Sequence, residues 1–164
     1  MRSADAVLTP MGLRVGRRRM PVEVGRGGLT ANKREGDGAT PRGRWRITAL
    51  LYRADRVRPP APWALPIGPG DLWSDDPADP AYNTWVRAPH PFGHERLHRP
   101  DGLYDIVLTT DWNWPDAVPG RGSAIFVHCR RGPGRPTAGC LALRRADLAW
   151  LATRMPPGAS IWVP

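Results

Sequence analysis

Proline and glycine recur along the whole chain, and they limit what it can fold into. Of the 164 residues, 20 are proline and 18 are glycine. Proline disrupts the interior of a helix, whereas turns and short strands accommodate both residues. The sequence therefore predicts a mainly β fold with long loops, rather than a helical bundle or a doubly wound α/β sheet. A chain of this length has room for one ordinary domain, so we expect a single domain over residues 1–164.

Charge and hydropathy argue against two classes of protein. The formal net charge is +9, and clustered cations can bind nucleic acid by releasing counterions. Here the arginines are spread along the chain, which favours a compositional bias toward arginine over a nucleic-acid partner. The sequence also lacks an uninterrupted run of the roughly 18 apolar residues that a membrane-spanning helix needs. We therefore expect no transmembrane helix, and a nucleic-acid partner is not favoured.

Alternating apolar residues predict the main strands. The pattern indicates strands over residues 45–52, 103–110 and 123–129. In the last of these, successive side chains point to opposite faces, so His128 and Cys129 are expected to face opposite ways.

Helical spacing and proline density predict the remaining organisation. Apolar residues at helical spacing indicate one C-terminal amphipathic helix over residues 145–155, and the prolines that follow stop it. Residues 55–102 are predicted to form long loops with short strands. Loops of that length are uncommon in a compact domain unless they build a site.

One histidine and one cysteine form the strongest candidate for chemistry. His128 ends a predicted strand, and Cys140 follows Gly139 in a tight loop. A catalytic thiol needs a base or cation, partial exposure and backbone N–H groups aimed at the developing oxyanion. The spacing fits such a pair and also fits a buried structural cysteine, so the spacing alone leaves both interpretations open.

A second histidine pattern could suggest a metal site. His90, His94 and His98 have a spacing at which a helix would present ligands on one face. Pro91 and Gly93 lie between them and argue against a helix. We therefore expect ordinary loop histidines and no metal.

Two motifs give the chain a family resemblance. The first is His128 followed by Thr137-Ala138-Gly139-Cys140, and the second is Lys33 followed by Gly36-Asp37-Gly38-Ala39-Thr40-Pro41-Arg42-Gly43. In this order and at about this separation, they resemble the L,D-transpeptidase (YkuD-type) catalytic domain. The resemblance extends over about residues 12–164, and it implies a β-sandwich or open-barrel sheet with long loops.

The resemblance also implies a reaction and roles for its residues. Cys140 would be the nucleophile and His128 its base, while the amides of Gly139 and Cys140 would bind the oxyanion. Thr137 would shape the loop. The partners would be peptidoglycan stem peptides, with a carbapenem-type β-lactam as a covalent ligand, and the products would be 3-3 cross-links or exchanged D-amino acids. No metal or cofactor is implied.

The chain departs from the family pattern around the nucleophile. Ala138 replaces a histidine, and Ala142 replaces an asparagine or arginine. Arg144, or the arginine after it, is a candidate substitute as a carboxylate anchor. Tyr104 is a candidate for lining the substrate cleft.

Alternatives of function and location follow from the same residues. Water could resolve the acyl-enzyme, giving an L,D-carboxypeptidase or endopeptidase, and a third reading is a non-catalytic domain that binds an anionic polymer. The resemblance implies the cell envelope or periplasm. Residues 1–13 lack the apolar stretch of a secretory signal, which keeps the cytoplasm as an alternative.

Overall fold

The computed structural model describes residues 5–164. Strands dominate this part of the chain, and one α-helix follows the fourteenth strand. The elements are β1 (Ala6–Thr9), β2 (Gly12–Val15), β3 (Arg18–Met20), β4 (Val22–Glu23), β5 (Leu29–Thr30), β6 (Thr40–Pro41), β7 (Gly43–Tyr52), β8 (Ala64–Pro66), β9 (Asp71–Ser74), β10 (Trp85–Arg87), β11 (His94–Arg96), β12 (Ile106–Thr110), β13 (Val127–Cys129), β14 (Leu141–Leu143), α1 (Arg145–Ala152) and β15 (Ser160–Val163). The mainly β prediction is confirmed.

The main sheet has ten strands and curls almost into a barrel. Its strand order is β3-β2-β1-β15-β7-β12-β13-β14-β4, and β8 pairs with β7. The two end strands, β3 and β4, are separated in the chain only by Pro21, so the two edges of the sheet lie near one another. This nearly closed sheet agrees with the predicted open barrel.

The long middle of the chain forms short strands between loops, as its proline content predicts. Strands β9, β10 and β11 form a separate three-stranded sheet in the order β10-β9-β11. A further two-stranded sheet joins β5 and β6 in parallel. The pairing of β5 with β6 holds the Gly36–Gly43 motif beside residues 29–30.

The predicted strand over residues 123–129 is regular only in its second half. Ladder pairing is restricted to β13, because Ala124 has a φ of 51° and turns the backbone out of the extended conformation. Side-chain alternation persists nevertheless. Ile125, Val127 and Cys129 lie in one core cluster, and Phe126 lies in the other.

The helix is present but shorter than predicted. It ends at Ala152 instead of residue 155, and the chain turns before the two prolines at 156–157. The helical conformation is disfavoured for a residue that precedes proline, so Met155 does not extend the helix. Leu148, Leu151 and Ala152 are buried in the core as predicted. No helix among residues 5–164 is both long enough and apolar enough to cross a bilayer.

Candidate active site

A cavity of about 430 Å³ contains both residues of the predicted pair. Cys140 and His128 both line it, and so do Thr137 and Tyr104. Five of the lining side chains are basic and three are acidic. The basic residues are Arg26, Lys33, Arg99, Arg131 and Arg135, and the acidic residues are Glu35, Asp75 and Glu95.

The main sheet brings the histidine and the cysteine to the same cavity. Strands β13 and β14 are parallel neighbours, and His128 of β13 is in register with Ala142 of β14. Cys140 immediately precedes β14. The intervening loop therefore returns the chain to the strand beside His128, although twelve residues separate the two side chains in sequence.

Thr137 fixes the shape of the loop that carries the candidate nucleophile, Cys140. Its hydroxyl donates to the Cys140 carbonyl at 2.6 Å and accepts the Gly139 amide at 3.1 Å. The backbone of Thr137 is also hydrogen-bonded to the segment that follows β4. Its N–H donates to the Val24 carbonyl, and its carbonyl accepts the Arg26 N–H. The Gly139 amide is thus occupied in this structure. The Cys140 amide has no hydrogen-bond acceptor within residues 5–164.

Gly139 is required where the two sequence motifs meet. Its φ is +142°, and a Cβ at this position would lie 2.9 Å from the Ala39 carbonyl oxygen. A side chain here would collide with the backbone of the Gly36–Gly43 motif. The two motifs that carry the family resemblance are therefore in direct contact at the nucleophile loop.

The Cys140 thiol is held in its protonated form in this structure. It donates to the Ala124 carbonyl at 3.1 Å, and its sulfur accepts the Phe126 amide at 3.4 Å. Burial raises the pKa of Cys140 to about 12, even though the Phe126 amide and the Lys33 ammonium act in the opposite direction. At neutral pH the unliganded site therefore holds a thiol.

His128 has its proton on a defined nitrogen. Its Nδ1 lies 2.8 Å from the Cys129 carbonyl oxygen, and a carbonyl can only accept, so Nδ1 carries the hydrogen. Burial lowers the pKa of His128 to about 4, so the ring is neutral at pH 7 and Nε2 is an unprotonated base. The ring packs edge-on against Tyr104 with centroids 5.3 Å apart.

Tyr104 connects the imidazole to a buried carboxyl group. Its hydroxyl donates to Glu95 Oε1 at 2.7 Å, and the Arg99 guanidinium lies over its ring at 5.2 Å. Burial raises the pKa of Glu95 to about 7, with the carboxylates Asp75 and Glu35 adding to the effect. A carboxyl that titrates near neutrality therefore lies in the wall of the cavity.

Arg144 is the predicted site residue that the structure does not bring to the cavity. Its guanidinium pairs with Asp147 at the start of α1, with an Nε to Oδ2 distance of 3.2 Å, and its side chain is largely exposed. The basic side chains that do line the cavity come from loops instead. Glu95 and Arg99 were not predicted, because they lie in the proline-rich middle and match no spacing pattern.

A comparison with known families decides the identity of the fold. The model of the L,D-transpeptidase catalytic domain, YkuD, matches residues 11–163. The chain belongs to the L,D-transpeptidase family. No curated protein and no solved structure gives a match. In this chain the residues next to Gly139-Cys140 include Ala138 and Ala142, both apolar.

Proposed function

We propose that the protein is an L,D-transpeptidase in which Cys140 forms an acyl-enzyme with a peptidoglycan stem peptide. The observation that carries the proposal is that Cys140 and His128 line one cavity, with Nε2 of His128 unprotonated. Because burial keeps the thiol and the imidazole neutral, the proton leaves Cys140 during attack and not before it.

In the proposed acylation step, the thiol of Cys140 replaces the terminal D-alanine of the stem peptide. Sγ of Cys140 attacks the carbonyl carbon between the diamino acid and the terminal D-alanine, while His128 Nε2 takes the thiol proton. The carbon–nitrogen bond then breaks, and His128 returns the proton to the departing amine. D-alanine leaves, and a thioester remains. The free Cys140 amide is available to bind the oxyanion.

In the second step an amine takes the place of the leaving group. The acceptor nitrogen attacks the thioester carbon, loses a proton to His128, and releases the Cys140 thiol. Glu35, Asp75 and Glu95 in the cavity wall can bind the ammonium form of the acceptor, which loses a proton before it attacks. The proposed substrate lies in the cell envelope, so we propose that location for the protein.

Product analysis with a tetrapeptide stem tests this function. The stem is supplied with an excess of a D-amino acid or of a second stem, and products are identified by mass spectrometry. We expect an exchanged or dimeric product that increases with acceptor concentration. Tripeptide alone at every acceptor concentration would reassign the protein as a carboxypeptidase. An unchanged tetrapeptide would reject both activities and leave the non-catalytic reading.

A further inference from the structure

A single lysine stands among 24 basic side chains, and it lies beside the nucleophile loop. Lys33 is buried, with its side chain 4% exposed. Its ammonium is 3.5 Å from the position that a Cβ on Gly139 would take. The loop from Thr137 to Leu143 carries no charged residue of its own. The positive charge beside Gly139 is therefore supplied by another segment of the chain.

Glycines on two sides make room for the lysine. A Cβ on Gly122 would lie 3.0 Å from both Cγ and Cε of Lys33, and Gly139 lies at the other end of the side chain. Both glycines have positive φ values, +96° and +142°. The slot between them admits a slender alkyl chain with a compact ammonium, whereas the planar guanidinium of arginine is wider.

The ammonium is anchored but not saturated. It donates to the Arg34 carbonyl at 3.0 Å and forms an ion pair with Asp37. An ammonium has three N–H donors, and among residues 5–164 no acceptor takes the third. Asp37 is itself fixed by the backbone amides of Arg34 and Ala39, both at 2.8 Å. The charge is thus held in place beside Gly139.

We propose that Lys33 is a positioning residue of the reaction, whose ammonium stabilises the negative charge that develops on Cys140 Sγ during attack. This rests on the proposed function only for the identity of the acyl donor. The Coulomb attraction of Lys33 lowers the pKa of Cys140, while Glu95 on the cavity wall raises it. Asp37 partly neutralises the ammonium, so its charge opposes the effect of Lys33 on the thiol.

The proposal predicts opposite effects of two neighbouring substitutions on thiol reactivity. Lys33→Met keeps a slender side chain and removes the charge. Asp37→Asn keeps the size of the side chain and one of its two backbone acceptors, and it leaves the ammonium less neutralised. A purely structural role for the ion pair would make the two variants alike, because each breaks the same salt bridge.

The test measures the rate of alkylation of Cys140 by iodoacetamide from pH 7 to 9, with peptide mapping. We expect Lys33→Met to slow labelling about threefold or more and to move the rise of the labelling rate to higher pH. Without the ammonium the thiol is less acidic, so less thiolate is present. Each thiolate is then more nucleophilic, which offsets only part of this loss. Asp37→Asn is expected to speed labelling. Cys129 is buried in the core and should remain unlabelled in every folded sample, so any labelling of Cys129 reports unfolding.

Equal rates for both variants, or changes in the same direction, would overturn the proposal. If Lys33→Met fails to fold, judged by circular dichroism, the sign of the Asp37→Asn effect decides, because slower or unchanged labelling contradicts an electrostatic role. Alkylation requires no peptide substrate. A wild-type protein that fails to transfer an acyl group would therefore reject the proposed function without changing this result.

Discussion

Access, and not acidity, distinguishes the two free thiols of the described residues. Burial raises the pKa of Cys140 to about 12 and that of Cys129 to about 11. Acidity alone would make Cys129 the more reactive. Cys129 is 4% exposed and packs in the core, however, whereas Cys140 is partly exposed at the cavity. A reagent can reach Cys140, and the neutral imidazole of His128 lines the same cavity.

The imidazole of His128 should be essential for acylation and dispensable for the fold. We expect His128→Ala to slow acylation of Cys140 by a β-lactam roughly a hundredfold, because the general base is lost. His94→Ala is the matched control, since that histidine is exposed and does not line the cavity. The rates are followed by intact-mass spectrometry. An unchanged rate in a folded His128→Ala protein would mean that another group activates the thiol.

At the level of elements, the site depends on the junction between the nucleophile loop and the Gly36–Gly43 motif. Ala39 contributes the carbonyl that leaves no room for a side chain at Gly139. The Thr137 hydroxyl closes the loop from the other side. The position of Cys140 is therefore fixed by contacts between segments about a hundred residues apart in sequence.

Adding one methyl group at this junction tests its importance. Gly139→Ala forces alanine into a strained φ and toward the Ala39 carbonyl, at an expected cost of about 1–3 kcal/mol in the free energy of unfolding, together with loss of acylation. Gly134→Ala is the control in the same loop, with a φ of +68° and no atom within 4 Å of the added carbon. It should retain acylation. Urea unfolding and intact-mass assays compare them, and equal behaviour would contradict this account.

The fold class, and the face of the strand on which a side chain lies, could be predicted from the sequence. The detailed path of the backbone could not. Strand alternation correctly separated His128 from Cys129. The predicted strand is not paired over residues 123–126, because Ala124 adopts a left-handed conformation and its carbonyl accepts the Cys140 thiol. Side chains such as Glu95 were missed since tertiary contacts, and not a local pattern, bring them to the cavity.

On the scale of the whole molecule, two buried titrating groups in one cavity have opposite effects on pH-dependent stability. The pKa of His128 is lowered to about 4 in the folded state. As the pH falls from about 6.5 to 4, the unfolded chain takes up this proton before the folded protein does, so the free energy of unfolding decreases. The pKa of Glu95 rises to about 7, so the folded state holds its proton longer and stability declines as pH rises from about 4.5 to 7. The two effects offset each other in the wild type.

Single substitutions should expose each effect. Glu95→Gln leaves His128 as the dominant group, and we expect this protein to be more stable at pH 7 than at pH 5. His128→Gln leaves Glu95, and the order is expected to reverse. Each full effect is at most about 3 kcal/mol, measured by urea unfolding at the two pH values. Carboxylates with lowered pKa values, such as Asp37, titrate below this range. Identical pH slopes in the two variants would refute the assignment.

The most direct test of the central claim is to locate the covalent adduct formed with a carbapenem. Arg130 and Arg131 lie between the two cysteines, so trypsin separates Cys129 and Cys140 into different peptides. We expect one adduct per chain, on the peptide that contains Cys140, and none in Cys140→Ala. A folded protein that forms no adduct, or that carries it on Cys129, would contradict the assignment of Cys140 as the nucleophile.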